Sequence, residues 1–184
     1  MAILTNRRAA LLVVGALASA LIGASKGRAG EAHSEEAVKA AFLVRFTGYI
    51  DWPRDALGSG QFTIAVLGDP DVEYQLERLV PGHPIKNLPV QVRQIRSVRE
   101  LGNAQVLFVG ANHADDIHSL VAALGKRPVL VVTDSNRGLQ EGGSVNFLVV
   151  DRRVRFEVSL AAADQAGLRI GSELLSVALH VAGP

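Results

Sequence analysis

Two acidic loops follow predicted strands in the way that ligand-binding loops of α/β proteins do. Gly68-Asp69-Pro70 comes directly after one apolar strand and before a helix, and Asp134 follows another such strand. Ligands of open parallel sheets bind at these carboxyl ends, so Gly68, Asp69 and Asp134 are candidate ligand-binding residues. The alternatives are ordinary helix-start chemistry at Asp69, and a solvated connection for the long polar loop of residues 134–143. No glycine-rich phosphate loop of the dinucleotide-binding or Walker type accompanies these residues.

The spacing of the histidines predicts that they lie on the surface and form no metal site. His113 and His118, with Asp115 and Asp116 between them, form the one cluster of potential metal ligands in the sequence. A spacing of five residues does not place two rings on the same face of a helix, whereas a spacing of four does. No serine stands in a nucleophile elbow, and no pair of carboxylates can be assigned to acid and base roles. We therefore predict no catalytic residue, no cofactor and no enzymatic activity.

The composition excludes several further classes of function. The chain has no cysteine, which rules out disulfides, thiolate nucleophiles, thiolate metal sites and thiol redox switching. Lysine and arginine total 19 against 18 acidic residues, so no large electrostatic field points to nucleic acid or to an anionic membrane. The stability of the protein must therefore come from its apolar core.

Two arginines within apolar sequence are the strongest candidates for contact with a partner. Arg45 lies among apolar residues of the predicted first helix, and Arg169 lies between Leu168 and Ile170. A guanidinium in such surroundings reaches water, pairs with an internal carboxylate or anchors a partner protein. Trp52, the one tryptophan, is predicted to belong to the core rather than to a binding hot spot.

The N-terminus has the order of charge and polarity that a secretory signal needs. Arg7 and Arg8 precede a run without charged residues from Ala9 to Ser25. This run is short for a membrane span and rich in alanine and glycine, which favours cleavage over permanent anchoring. We predict a cleaved signal peptide at residues 1–32 and a periplasmic mature protein. About 150 residues remain, a length that fits one domain.

Strands and helices alternate along the mature chain and must position these candidate residues. Apolar runs predict strands at residues 62–67, 106–109 and 129–133, and a further strand is predicted at 90–95 after a loop rich in proline and glycine. Helices are predicted from Ser34 to Ile50, at 71–80, after Ser97 and at 115–124. The short turn at Asp151 joins two strands, at 144–150 and 153–160, into a hairpin, and a last helix is expected at 172–181. The sequence thus predicts one α/β domain over residues 33–184, with a mainly parallel central sheet flanked by helices, a C-terminal antiparallel hairpin and a final helix.

Five segments in the same order resemble the YfiR-like family of exported proteins. These segments are KAAFLVRFTGYIDWP (39–53), IAVLGDP (64–70), VLFVG (106–110), RPVLVVTD (127–134) and GGSVNFLVVDRRVRFEVSLAAADQAGLRIGSELLSVA (142–178). No single segment is chemically diagnostic, but the set is specific and covers nearly all of the predicted mature chain.

The resemblance implies a periplasmic regulator. Its expected partner is the periplasmic sensor domain of an inner-membrane diguanylate cyclase, which it would bind and hold inactive, so lowering cyclic di-GMP and biofilm formation. An OmpA-like outer-membrane lipoprotein can sequester a regulator of this kind, and a homodimer is the expected assembly. Redox-linked disulfides known in the family cannot form in this chain, because it lacks cysteine.

The resemblance also directs attention to the segment from Leu168 to Leu175, because Leu-Arg-Ile-Gly-Ser matches a family motif. An arginine between apolar neighbours is typical of interface centres, so the predicted partner-binding residues are Arg169, Leu168, Ile170, Leu175 and Arg45. Packing of the last helix is the competing explanation for this motif. The alternative function is a small-molecule-binding sensor serving another membrane signalling or import system, with its ligand near Gly68, Asp69 and Asp134.

Overall fold

The computed structural model of the protein describes residues 34–58 and 60–183. The predicted signal peptide and His33 lie outside the described residues. Within the described ranges, no helix is both long and apolar enough to cross a membrane.

Seven strands form one mainly parallel sheet, and two more form a small ribbon beside it. The strands are β1 (Ile50–Asp51), β2 (Phe62–Leu67), β3 (Val90–Ile95), β4 (Val106–Val109), β5 (Leu130–Thr133), β6 (Val145–Val150), β7 (Arg153–Ser159), β8 (Arg169–Ile170) and β9 (His180–Ala182). The large sheet has the order β3-β2-β4-β5-β6-β7-β9, and only the β6–β7 hairpin is antiparallel in it. The predicted parallel sheet and C-terminal antiparallel hairpin are confirmed.

Helices cover both faces of this sheet, as the continuously apolar strands predict. The helices are α1 (Glu35–Phe46), α2 (Pro70–Leu79), α3 (Ile117–Leu124), α4 (Leu160–Gln165) and α5 (Ser172–Leu175). All six residues of β2 are buried. Phe62, Ile64 and Val66 belong to one core cluster, while Ala65 and Leu67 belong to a second cluster. This alternation divides the strand between two apolar layers, because successive side chains point to opposite faces.

Aromatic rings fix α1 to the hairpin. Phe46 packs against Phe147 of β6 and Phe156 of β7, with ring centroids 5.7 and 4.9 Å apart. Phe42, one turn earlier, contacts the same two rings. Trp52 is buried against Phe62, which confirms its predicted place in the core.

The first helix is shorter than its apolar spacing predicts. It ends at Phe46, a 3-10 turn follows, and Ile50–Asp51 is strand β1, which pairs antiparallel with β8. The prediction of a helix through Ile50 was wrong because Ile50 pairs with Ile170, far along the chain. A helical spacing of apolar residues carries no information about such a distant partner.

The C-terminal elements differ from the prediction in the same way. Helix α5 spans only Ser172–Leu175, and residues 180–182 form β9 beside β7, where a helix to Val181 was predicted. Strand β7 stops at Ser159, whose side chain accepts a hydrogen bond from Ala162 N (3.2 Å) and starts α4, a helix that the sequence did not predict. The short helix predicted after Ser97 is a 3-10 helix, Val98–Glu100, and a 3-10 segment, Ala111–Asp116, precedes α3.

Candidate functional site

One of the two predicted ligand-binding loops, at Gly68 and Asp69, lies at the point where the order of the sheet reverses. From β2 the chain crosses to β3 on one side, and from β3 it returns to β4 on the other side of β2. The carboxyl ends of β2 and β4 therefore flank the topological switch point, where open α/β sheets bind ligands. Gly68 and Asp69 follow β2 there, and Gly110 follows β4. We call the space between these loops the switch-point crevice.

The switch-point crevice is packed with the protein's own atoms. The ring of His113 lies directly on Gly68, which has a φ of +79°, so that an added Cβ would collide with the ring. A Cβ added at Gly110 would lie 2.8 Å from the Cβ of Asp69. Asn112 Nδ2 also donates a hydrogen bond to Gly68 O (3.3 Å). The glycines therefore allow the two loops to touch, and the geometry gives no specific support to the small-molecule alternative.

Asp69 has a structural role at this position. Its Oδ1 accepts a hydrogen bond from Val72 N at 2.9 Å and caps α2, with Pro70 as the first helical residue. Burial raises the pKa of Asp69, and the negative charge of Asp134 raises it further, against the opposing effects of the Val72 hydrogen bond and Lys39. The charge of Asp69 thus opposes stability at neutral pH, while its cap supports stability.

A buried lysine, which the sequence analysis missed, connects α1 to the end of β5. Lys39 is only 4% exposed, and its Nζ lies 2.6 Å from Asp134 Oδ2 and 2.5 Å from Glu35 Oε1. Burial lowers the pKa of Lys39, but the hydrogen bonds and charges of Asp134 and Glu35 outweigh it and raise the pKa above its ordinary value. We call Glu35, Lys39 and Asp134 the Lys39 cluster. Asp134, predicted to bind ligand, is here part of an internal ion pair.

A second polar network holds the loop of residues 134–143. Asn146 is fully buried, and its Oδ1 accepts hydrogen bonds from Thr133 Oγ1 (2.7 Å) and Ser135 N (3.2 Å). Its Nδ2 donates to Ser135 O (2.8 Å) and Glu157 Oε1 (3.0 Å). All four hydrogen bonds that an amide side chain can make are present. The loop is therefore fixed to the sheet. The only sign of this network in the sequence is an asparagine within an apolar strand.

His113 has a local partner in addition to its contact with Gly68. His113 Nδ1 lies 2.9 Å from Asp116 Oδ2, and the side chain of His118 is exposed. Across the residues that the structure describes, no group of three or more potential ligands could hold a metal ion.

The predicted partner-binding residues lie at different depths. Arg169 is exposed on β8, and it forms no ion pair within the described part of the chain. Ile170 and Leu175 are half-buried, and Arg45 is exposed on α1. Leu168 is only 1% exposed and belongs to the core, so its part is to hold the segment in place. The alternative of an internal salt bridge at Arg169 does not match this geometry.

Strand pairing fixes the backbone around Arg169. In the ribbon, Asp51 of β1 stands opposite Arg169, and Ile50 stands opposite Ile170. Ile50 is completely buried, and Gly171 N donates a 2.7 Å hydrogen bond to Tyr49 O. The ribbon therefore presents Arg169 on a backbone that is tied to the core.

Comparisons with known proteins agree with the family resemblance and with the fold. The YfiR/HmsC-like family model matches residues 36–179. A conserved domain protein from Vibrio cholerae aligns with a TM-score of 0.53 at 10% identity, over 80% of this chain and 60% of its own length. An ABC domain from Streptococcus pneumoniae in complex with L-Trp aligns at 14% identity with a TM-score of 0.49, over 69% of this chain and 57% of its own length. No curated protein matches the sequence.

Proposed function

The chain belongs to the YfiR/HmsC-like family, and from this premise we propose that it binds the sensor domain of an inner-membrane diguanylate cyclase and represses that enzyme. The match covers residues 36–179 and supports a periplasmic regulatory role in general. The family is regulatory and non-catalytic, so the expected activity is control of a membrane partner. In this proposal, an OmpA-like outer-membrane lipoprotein releases the cyclase by sequestering the regulator, and the regulator acts as a homodimer.

The observation that carries the proposal for this chain is an exposed arginine without a carboxylate partner among the described residues. Arg169 stands on the rigid β1–β8 ribbon beside the half-buried Ile170. A guanidinium next to apolar area is favoured at the centre of protein interfaces, where it forms bidentate hydrogen bonds with carboxylates. We therefore propose Arg169 and Ile170 as the centre of the partner surface. Leu175 and Arg45 are proposed as further members.

Deletion of the gene tests the repressor role. We expect cyclic di-GMP and biofilm mass to rise in the deletion strain and to return to the starting level on complementation. Purified regulator should bind the isolated periplasmic domain of the cyclase in a calorimetric titration. Unchanged cyclic di-GMP after deletion, together with no binding in the titration, would refute the proposal.

Export on a cleaved signal peptide is a separate proposal. The positive residues Arg7 and Arg8 and the apolar run after them support processing between Ala29 and Ala32. We expect N-terminal sequencing of the protein from the periplasmic fraction to begin between Gly30 and His33. Recovery of the full-length chain from the cytosol would contradict this expectation.

A further inference from the structure

The tip of the β6–β7 hairpin exposes apolar side chains at a tight turn. Asp151 and Arg152 have φ values of +50° and +60°, and they form the two-residue turn between the strands. Val149 and Val150, directly before this turn, are 53% and 38% exposed. Two adjacent exposed valines at a projecting turn leave apolar area in water that the fold itself does not cover.

The two valines lie on opposite faces of the hairpin. Val149 pairs with Val154 and, with Val38 and Phe42 of α1, lines a groove of about 310 Å³. Val150 points to the other face, because successive side chains of a strand alternate, while its partner Arg153 lines the groove together with Arg152 and Glu35. A protein segment lying in the groove would cover Val149 and leave Val150 in water. A partner that surrounds the tip would cover both valines.

The tip also carries a local excess of positive charge. Arg152, Arg153 and Arg155 are all exposed, and none of them forms an ion pair within the described part of the chain. Asp151 is the one acidic residue between Val149 and Arg155. The charge of the whole chain is nearly balanced, so composition alone could not reveal this cluster. The tip combines apolar side chains on both faces with unpaired guanidinium groups.

We propose that the β6–β7 tip docks onto the anionic surface of a phospholipid bilayer. Val149 and Val150 enter the headgroup region, while the arginines lie along the surface and bind lipid phosphates. Each arginine near such a surface strengthens binding roughly fivefold, so the contact is weak, reversible and sensitive to salt. The tip shares no residue with the Arg169 surface. Docking of the tip therefore leaves the residues proposed for the partner unoccupied, and it would hold the regulator beside a membrane-bound partner.

Sedimentation with lipid vesicles tests this proposal. In low salt, the folded protein should bind vesicles that contain phosphatidylglycerol and not vesicles of phosphatidylcholine alone. The Arg152→Glu/Arg153→Glu pair should weaken binding by more than about tenfold, because it replaces attraction by repulsion. The matched control is Arg96→Glu/Arg99→Glu, which changes the net charge equally at two exposed arginines on another part of the chain. This control should retain most of the binding.

Insertion of the tip has its own signature. A tryptophan introduced by Val150→Trp should shift its emission to shorter wavelength with phosphatidylglycerol vesicles, while the buried Trp52 contributes a constant background. The proposal is overturned if phosphatidylglycerol vesicles do not bind the protein, or if the two arginine pairs weaken binding equally. It is also overturned if the tip pair abolishes binding of the cyclase sensor domain and leaves vesicle binding unchanged. That result would identify the groove as a protein-docking surface.

Discussion

Replacement of Lys39 by methionine is expected to lower the free energy of unfolding by about 3 kcal/mol. Methionine fills a similar volume but cannot pair with Asp134, whose side chain is 19% exposed, so a largely buried carboxylate loses its partner. Glu35 is 44% exposed and can return to water, which keeps the loss below that of a fully buried triad. Urea unfolding at pH 7, with the m-value compared between wild type and variant, measures the effect.

A double-mutant cycle isolates the ion pair from the loss of packing. Lys39→Met combined with Asp134→Asn should be destabilised by clearly less than the sum of the two single variants, because neither charge then remains unpaired. Lys126→Met, at an exposed lysine, is the control and should change stability by no more than about 0.5 kcal/mol. Additive losses, or a neutral Lys39→Met, would show that the pair contributes nothing to the attachment of α1.

The pH dependence of this loss has a definite sign. Because the folded pKa of Lys39 is raised above its ordinary value of 10.5, the lysine contributes stability that is fully present below that value. The contribution disappears as the pH rises through the folded pKa, where Lys39 loses its proton in the native state. The difference in stability between wild type and Lys39→Met should therefore decrease at strongly alkaline pH.

The parallel sheet could be predicted from the sequence because its signals are local. Strand β2 is a continuous apolar run closed by Gly68, and β4 and β5 are similar runs closed by Gly110 and Asp134. Burial on both faces removes the alternation of polar residues, so the run itself indicates a central strand. The hairpin could also be predicted from a local signal, because only a short turn at Asp151 separates its two strands.

The elements that were missed depend on partners far along the chain. Ile50 fits a helical spacing, yet it forms a strand because Ile170 lies beside it. In the sequence, Lys39 looks like an ordinary lysine on a helix surface. Its burial depends on the ion pair with Asp134, which lies 95 residues later in the chain. The strand ends predicted candidate ligand-binding residues at Gly68 and Asp69, but spacing along the sequence could not show that His113 packs on Gly68 and that Gly110 approaches Asp69. In each of these cases, tertiary contacts determined the structure and the local sequence pattern did not.

Reversal of the charge at Arg169 is expected to separate the partner surface from the stability of the fold. The side chain is exposed and forms no ion pair among the described residues, so Arg169→Glu should change the free energy of unfolding by well under about 1 kcal/mol. Asp51 stands opposite in the ribbon and adds only a solvated repulsion. Binding of the cyclase sensor domain should weaken by about 2 kcal/mol or more, which is about thirtyfold.

Three measurements on the same strain decide the role of Arg169. The melting temperature of Arg169→Glu should stay close to wild type, its affinity for the sensor domain should fall, and cyclic di-GMP should approach the level of the deletion strain. Arg99→Glu, which reverses an exposed arginine elsewhere, is the control and should leave all three unchanged. A folded Arg169→Glu protein with wild-type affinity and wild-type cyclic di-GMP would exclude this ribbon as the partner surface. A melting temperature lowered by more than the solvated repulsion with Asp51 explains would instead assign Arg169 to the stability of the ribbon.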